Sequence, residues 1–501
     1  MQSMGIVFRQ GAINTAILFA GILIGFVNEF LLLRNLLDEE QVGLIKLLLA
    51  VTAVFAQFGA LGGINTLLRY FPYFRNKETQ HGGALFGFLA IGGAGFGIVA
   101  LVLWIFRGAV EARFAENSLL FTQYYALLYP LILFSLNFLL LEAYAKSNYR
   151  TIASAVLQEV VLRLLITLAV GLYAFGWISI HQFYLAFTAA NCMVTVLLAI
   201  WIVRTGDWLF KPVAGFFKGP LFKQMLGFGF ITLLSNFSAR LYTSIDSIMI
   251  GQQIGLGAVA IYMTGSYLSS VIMAPGRSLI RIASPLVADH WKNNNMTAMN
   301  KLYRQVAVNS FVVSSWVFLV LYASTGALFS LIPASFAPAI SVFAALGIAR
   351  IYDMATGING TILATSSKYH FVAIGNLLTA AVAIGTNIWL IPRYGIQGAA
   401  LATLITILST NTLRVLFVYR AFGLFPFSRN ILGAVFAAAL AWGVLEGLMR
   451  LTGGTGNVWA DAVLGSLLVS LCFLGIILPL RVSEDVHERL VKLWKRFGPK
   501  D

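Results

Sequence analysis

The sequence is short of charge and of cysteine. Charged residues occupy 11% of its 501 positions and only two are cysteines, whereas 59% are hydrophobic and the mean hydropathy is +0.85. Soluble domains carry about a quarter charged residues, so this composition excludes an ordinary soluble protein. The two cysteines are far apart and indicate no disulfide framework, and the five histidines lack the spacing of metal ligands.

Long apolar runs dominate what is present. Runs of roughly 20 apolar residues are long enough to cross a bilayer as helices. We predict an all-α polytopic membrane protein with about fourteen transmembrane helices, near residues 11–33, 42–68, 82–106, 119–141, 152–175, 181–203, 224–250, 256–284, 304–331, 337–363, 370–391, 395–419, 430–449 and 458–480. The first run is longer than the apolar core of a signal peptide, so we expect it to be retained.

The basic residues predict the orientation. With the N-terminus in the cytoplasm, cytoplasmic segments hold 22 Lys and Arg residues and the opposite loops hold five. Basic residues concentrate on the cytoplasmic side of membrane proteins. The net charge of +15 therefore reflects orientation and anionic lipid better than nucleic acid, and both termini are expected in the cytoplasm.

The chain contains a weak internal repeat. AYAKSNYRTIASAVLQ at 143–158 is similar to LATSSKYHFVAIGNLL at 363–378, with Tyr149 opposite Tyr369. The shift of 220 residues spans six helices, so the two halves enter the membrane from the same side. Parallel repeats of this kind are typical of transporters, with a substrate site expected between the lobes.

The repeat sets the predicted domain boundaries. They are an N-terminal lobe at 1–210, a cytoplasmic connector at 211–223, a C-terminal lobe at 224–420, two additional helices at 421–480 and a cytoplasmic amphipathic tail at 481–501.

A polar stripe marks the seventh predicted span, at spacings of four, four, three and four residues: Thr232, Asn236, Arg240, Thr243 and Ser247. These spacings place the side chains on one helix face, which Asp246 flanks. A charge inside a span is costly, so intramembrane charges predict a functional site. We expect the stripe to line a cavity; the alternative is a polar seam between helices.

The eighth predicted span places two arginines four residues apart, Arg277 and Arg281, in the stretch APGRSLIRIASP. Like charges at this spacing repel. A phosphate or diphosphate bridging the two guanidinium groups would relieve the repulsion. The alternative is that Arg281 extends to the lipid headgroups.

The other charges inside the spans fall into two sets. Glu159 and Arg163, and likewise Arg350 and Asp353, have the spacing of helical ion pairs. Glu29, Lys46 and Arg414 have no local partner, although a Glu29–Lys46 salt bridge would explain two of them. Within the first twelve spans seven basic residues face four acidic ones, which favours an anionic substrate.

Taken together, these features resemble a known family. The fourteen spans, the repeat, the segment LLDEEQVGLIKLLLAV at 36–51 and the segment ARLYTSIDSIMIG at 239–251 resemble bacterial polysaccharide flippases of the multidrug/oligosaccharidyl-lipid/polysaccharide exporter (MOP) superfamily. The resemblance implies two six-helix lobes in a V, alternating access, and export of undecaprenyl-diphosphate-linked O-antigen, capsule or exopolysaccharide units. The last two spans are similar to those of lipid II flippases. That branch has an arginine-rich first helix, whereas residues 11–33 contain no basic residue, which disfavours the peptidoglycan precursor as substrate.

This resemblance gives each candidate residue an expected role. Arg240, Arg277, Arg281, Arg350, Arg414 and Lys46 would bind the substrate diphosphate, and Asn236, Thr243 and Ser247 would line the cavity. Coupling to a proton or sodium gradient would use Glu29, Asp246 or Asp353. No metal or cofactor is expected; the chain would act as a monomer, with membrane lipids, a polysaccharide polymerase and glycosyltransferases as partners.

Four alternatives remain open. A lipid II flippase and a cation-coupled multidrug exporter share the expected fold, although the basic excess disfavours the second. A polyprenyl-sugar-dependent glycosyltransferase would use Asp38, Glu39 and Glu40 of the first external loop as base and metal ligands. A nontransporting scaffold would tolerate loss of the cavity arginines.

Overall fold

The computed structural model describes residues 13, 16–76, 78–213, 216–452, 455–480 and 482. Within these ranges the regular secondary structure is entirely helical. The predicted amphipathic tail at 481–501 lies outside the described residues, Val482 excepted. Packing divides the chain into two compact units, Met1–Ala260 and Ile261–Asp501.

The first unit is built from ten helices and the start of an eleventh. They are α1 (Ala16–Leu36), α2 (Glu39–Gly59), α3 (Gly63–Phe74), α4 (Ala84–Ile105), α5 (Arg107–Phe114), α6 (Leu119–Gln123), α7 (Leu128–Ser147), α8 (Ile152–Ala174), α9 (Ile180–Arg204), α10 (Pro220–Gln253) and α11 (Leu256–Ile272). Helices α1 and α8 each contain a π-helical stretch, at Val27–Leu32 and Leu157–Val161.

The second unit continues from α11. Its helices are α12 (Ala274–Lys292), α13 (Met296–Ala323), α14 (Thr325–Phe329), α15 (Ala339–Ala355), α16 (Asn359–Thr365), α17 (His370–Phe422), α18 (Arg429–Thr452) and α19 (Val458–Ile477). Helix α17 is two predicted spans joined at Gly395, whose φ of 58° and ψ of −135° break the helical path.

Eleven helices in the described ranges are long and apolar enough to cross a membrane, or twelve if α11 and α12, bent by 47°, form one span. The chain is therefore a multi-pass membrane protein. The predicted count of fourteen is not confirmed, for two reasons: α17 holds two predicted spans but counts as one candidate, and α10, which carries Lys223, Arg240 and Asp246, is absent from the candidates.

The second predicted span, 42–68, is interrupted in the structure. Helix α2 ends at Gly59 and α3 begins at Gly63, after Gly62 adopts a left-handed φ of 74°. A Cβ on Gly62 would overlap the carbonyl of Gly229 in α10. The apolar run continues through this turn, so hydropathy alone did not reveal it.

Small residues let α10 pack closely against its neighbours in the first unit. Besides the Gly62–Gly229 approach, Thr232 Oγ1 donates to the Gly62 carbonyl at 3.4 Å. Close backbone approach through small residues is typical of membrane helices. The start of the α10 polar stripe is thereby fixed against the turn between α2 and α3.

The predicted connector at 211–223 packs onto the same unit through Phe216, which is 4% exposed. Its ring contacts Phe74 and Phe88, with centroid distances of 5.5 and 5.6 Å. A Cβ on Gly87 of α4 would overlap this ring. Phe216 thus anchors the connector to α3 and α4.

In the second unit α13 lies beside α15, α18 and α19. Polar contacts link it to the last two helices: Trp316 Nε1 donates to Ser470 Oγ at 3.0 Å, and the Tyr322 hydroxyl donates to Glu446 at 3.0 Å. The two additional helices are therefore part of this unit's packing.

Candidate functional site

The polar stripe of α10 changes character along its length. Arg240 and Thr243 are exposed and Asn236 is half-buried, whereas Ser247 and Asp246 are 3% and 7% exposed. Asn65 Nδ2 donates to Asn236 Oδ1 at 3.4 Å. The accessible face therefore centres on Arg240, and the Ser247 end of the stripe lies inside the unit; the roles predicted for these residues stay predictions.

Arg277 and Arg281 are both exposed on one face of α12. The Arg277 guanidinium approaches the sulfur of Met273 at 3.7 Å. Neither arginine forms an ion pair with a carboxylate in the described part of the chain. Pro275 stands at the start of α12, beside the 47° bend from α11, and Pro285 lies inside it.

The predicted Arg350–Asp353 ion pair is wrong. Asp353 instead accepts a hydrogen bond from Asn411 Nδ2 at 2.7 Å. Arg350 has no ion-pair partner among the described residues, and its buried Nε has no hydrogen-bond partner there. The spacing does place both residues in one helix, but the side-chain amide of Asn411 in α17 donates the hydrogen bond that the Asp353 carboxylate accepts.

Arg277, Arg350 and Asp353 lie close enough to interact electrostatically. The structure therefore brings together two arginines from α12 and α15 that were predicted separately. Arg277 and Arg350 carry two positive charges, and Asp353 carries one negative charge. The group therefore has an excess of positive charge. Such an excess fits a multivalent anion.

Arg414 lies in a different environment of the second unit. Its Nη2 donates to Asn376 Oδ1 at 3.0 Å. It lines a groove of about 320 Å³ whose other walls are largely apolar, together with Arg420. A groove with an apolar wall and cationic groups is suited to an amphipathic anion.

Glu29 and Lys46 form an ion pair between α1 and α2. The salt-bridge alternative considered for these two residues is therefore the one observed. The predicted Glu159–Arg163 pair is also formed, with Arg163 Nη2 and Glu159 Oε2 2.8 Å apart. These four charges are mutually compensated and offer less to an anion than Arg277 and Arg350.

The π-helical stretch of α1 contacts α8 just after the π-helical stretch of that helix. Asn28 Nδ2 donates to the Arg163 carbonyl at 2.7 Å, and Thr167 Oγ1 donates to Asn28 Oδ1 at 2.7 Å. π-Helical turns are rare and frequently occur at functional sites. Here they place Glu29 and Glu159 in one polar network inside the first unit.

The acidic run at 38–40 has a structural role. Asp38 is the N-cap of α2: its carboxylate accepts from the Gln41 N–H at 2.7 Å, and its own N–H donates to Gln41 at 3.2 Å. This capping box and two glutamates in the first turn stabilise the helix N-terminus. In the described residues no group of three acidic, histidine or cysteine side chains could hold a metal.

Two charges were missed from the sequence, one buried and one half-buried. Arg34, assigned to an external loop, is 1% exposed and interacts electrostatically with Glu29. Their spacing of five residues matches the π-helical hydrogen-bond pattern and escapes a search for pairs three or four apart. Glu446 in α18 is bonded to Tyr322, and its position inside an apolar run was a usable signal.

Known proteins are similar to the chain at two levels. Residues 7–284 match the model of a family described as polysaccharide biosynthesis protein. A comparison with curated proteins gives no significant match.

Solved structures share its fold. The lipid II flippase MurJ, in an inward closed conformation, has a TM-score of 0.69 at 13% identity, with 94% of this chain and 99% of that chain covered. An inward-facing multidrug resistance MATE transporter of the MOP superfamily has a TM-score of 0.62 at 13% identity, covering 82% and 98%. The MATE multidrug transporter DinF-BH gives 0.56 at 18% identity, covering 83% and 95%. The fold is therefore that of MOP transporters.

Proposed function

Because the chain belongs to the polysaccharide biosynthesis protein family, we propose that it is a flippase for undecaprenyl-diphosphate-linked oligosaccharide repeat units. It moves O-antigen, capsule or exopolysaccharide units from the cytoplasmic to the periplasmic leaflet of a bacterial inner membrane. Membership in the MOP superfamily, inferred from the sequence, agrees with the MurJ and MATE matches.

One observation carries the proposal. Arg277, Arg281 and Arg350 lie in an apolar helical unit, and none pairs with a carboxylate among the described residues. Uncompensated charge inside a membrane protein is costly and therefore indicates a charged ligand or a functional pathway. A diphosphate offers several oxygens to these guanidinium groups and would neutralise them when bound.

The remaining candidates have graded roles in this proposal. Arg414, which lines an apolar groove, contacts the lipid-proximal end of the substrate. Arg240, with Asn236 and Thr243, offers a cation and hydrogen-bonding groups on the first unit. Lys46 ranks last, because Glu29 already neutralises it.

Gradient coupling and partners extend the same proposal. Glu29, Asp246 and Asp353 are the acidic residues that would exchange a proton or sodium ion during the cycle. The flippase acts as a monomer and delivers its product to a polysaccharide polymerase, after glycosyltransferases have assembled the unit. The ion coupling is testable by sodium- and proton-dependent uptake in proteoliposomes.

Native mass spectrometry of the detergent-purified protein tests the central proposal. We expect a co-purified polyprenyl-diphosphate glycan on the wild type and its loss from Arg277→Ala/Arg281→Ala. A matched variant, Lys218→Ala/Lys292→Ala, removes two exposed cations outside α12's arginine pair and should retain the glycan.

The ligand mass decides between the alternatives. A repeat-unit glycan supports the proposal, whereas lipid II would assign the peptidoglycan precursor as substrate. Binding of cationic drugs with no polyprenyl glycan would overturn the proposal in favour of a multidrug exporter. Retention of glycan by the double arginine variant would show that other residues hold the diphosphate.

A further inference from the structure

A cavity of about 380 Å³, lined mainly by polar residues, lies in the second unit, and neither Arg277 nor Arg350 lines it. It is bordered by the first four turns of α13, the linker before α18, and Val482. Its lining residues are Thr297, Asn300, Lys301, Arg304, Gln305, Val308, Asn309, Ser428, Asn430 and Val482. Eight of these ten are polar, two of them cationic, and none is acidic.

The two cations are held without a counter-charge. Arg304 Nε donates to the Phe425 carbonyl at 3.3 Å, and Asn300 Oδ1 accepts from the Phe425 N–H at 3.0 Å. Within the described ranges, neither Lys301 nor Arg304 has a carboxylate within ion-pair distance. The linker therefore fixes one guanidinium at the cavity wall and leaves its charge available.

The surroundings place this cavity at the level of lipid headgroups. Phe425 and Phe427 of the linker pack with ring centroids 5.4 Å apart. Helix α18 starts at Arg429 and then exposes Leu432 and Phe436, which are 70% and 61% exposed. A lipid-facing apolar helix that begins at a basic residue marks the boundary between acyl chains and headgroups, where Lys and Arg anchor membrane helices.

We propose that this cavity binds the phosphate of an anionic phospholipid headgroup, in the leaflet that surrounds the N-terminal end of α13. Lys301 and Arg304 contact the phosphate oxygens, and Asn300 and Gln305 donate hydrogen bonds to the headgroup. Basic pockets between membrane helices bind anionic headgroups in this way. The site is separate from the arginines of the proposed flippase site, and its existence does not depend on the transported substrate.

Lipid titration of the delipidated full-length protein, followed by native mass spectrometry, tests this site. Phosphatidylglycerol is the anionic probe, phosphatidylcholine the zwitterionic probe, and inorganic phosphate the headgroup-free competitor. For the Lys301→Gln/Arg304→Gln variant we expect roughly tenfold to thirtyfold weaker binding of one phosphatidylglycerol. The control Lys218→Gln/Lys223→Gln removes two exposed cations elsewhere and should bind as the wild type does.

Each outcome decides the proposal. Selective loss of one phosphatidylglycerol in the cavity variant, with phosphatidylcholine binding unchanged, supports it. Equal loss in both variants would show that general surface charge binds the lipid, and inorganic phosphate that binds alone and displaces no lipid would show a simple anion site. The single variant Lys301→Gln replaces the double variant if the latter fails to fold, because the Lys301 side chain makes no hydrogen bond or ion pair with the described residues. Unchanged lipid affinity of this single variant would also overturn the proposal.

Discussion

The half-buried Arg350 is expected to serve substrate binding at a cost in stability. An unbonded buried polar atom destabilises a fold, and the Nε of Arg350 is such an atom among the described residues. We expect Arg350→Met to leave the melting temperature unchanged or raised while weakening glycan retention. Fluorescence-monitored melting and native mass spectrometry measure the two effects.

Arg414→Met is the matched comparison for Arg350→Met. Arg414 donates to Asn376, so its replacement removes a satisfied hydrogen bond and should lower the melting temperature. If Arg350→Met were the more destabilising of the two, Arg350 would have a structural partner and the proposed substrate role would weaken.

The Glu29–Lys46 pair allows a second prediction at the residue scale. Lys46 is 8% exposed, and removing one partner of a buried ion pair typically costs about 3 kcal/mol or more, because the other charge is left uncompensated. We expect Glu29→Gln to destabilise the protein by about that amount. The double variant Glu29→Gln/Lys46→Met should recover most of the loss.

The double variant also separates the structural role of the ion pair from a role of Glu29 in ion coupling. Uptake by Glu29→Gln/Lys46→Met proteoliposomes that still responds to a proton or sodium gradient would exclude Glu29 as the coupling group. A fully stable Glu29→Gln single variant would contradict the structural role of the pair.

Sequence reasoning about individual charges succeeded where the partner was local. Glu159 and Arg163 pair as their spacing predicts. Asp353 does not pair with Arg350, because its carboxylate instead accepts a hydrogen bond from Asn411, 58 residues later. Arg34 was missed because the π-helical stretch in α1 changes which residues are neighbours.

At the scale of elements, the contact between α4 and the connector gives a sharp prediction. A methyl group on Gly87 would overlap the ring of Phe216, and overpacking of this kind typically costs about 1–3 kcal/mol. We expect Gly87→Ala to lower the melting temperature and to increase cleavage by trypsin at Lys218, which precedes Gly219. Limited proteolysis followed by mass mapping measures the second effect.

The same helix supplies the control. Gly93 of α4 has no heavy atom within 4 Å of an added Cβ, and alanine favours helix over glycine by about 1 kcal/mol. Gly93→Ala should therefore be neutral or stabilising, with unchanged cleavage. Equal behaviour of the two variants would mean that Phe216 does not anchor the connector.

Hydropathy predicted most of the helices but not their interruptions. The span predicted at 181–203 corresponds to Ile180–Arg204 and the one at 458–480 to Val458–Ile477. The break at Gly62 depends on the approach of Gly229 from α10, a contact between residues far apart in sequence. Apolar periodicity does not report such contacts, so the predicted 42–68 span ran through the turn.

At the scale of the whole molecule, the repeat located corresponding positions in both units. Tyr149 lies in the turn between α7 and α8, and Tyr369 is the N-cap of α17. Tyr149 therefore stands just before α8 and Tyr369 just before α17. The predicted lobe boundaries stay a prediction; the compact units divide after Ala260 because α10 packs on α2 and α3, which no sequence repeat encodes.

The orientation of the molecule is the remaining prediction at this scale, and it follows from the 22 to five distribution of basic residues between the predicted faces. In a Cys192→Ala/Cys472→Ala background, we expect Arg113→Cys to react with a membrane-impermeant maleimide in intact cells, because it lies in a predicted periplasmic loop. Lys218→Cys should react only after the inner membrane is permeabilised. Both positions are exposed, so accessibility within the protein does not bias the comparison. The reverse pattern would invert the topology, and with it the direction of the proposed transport and the leaflet that supplies the phospholipid to the Lys301–Arg304 cavity.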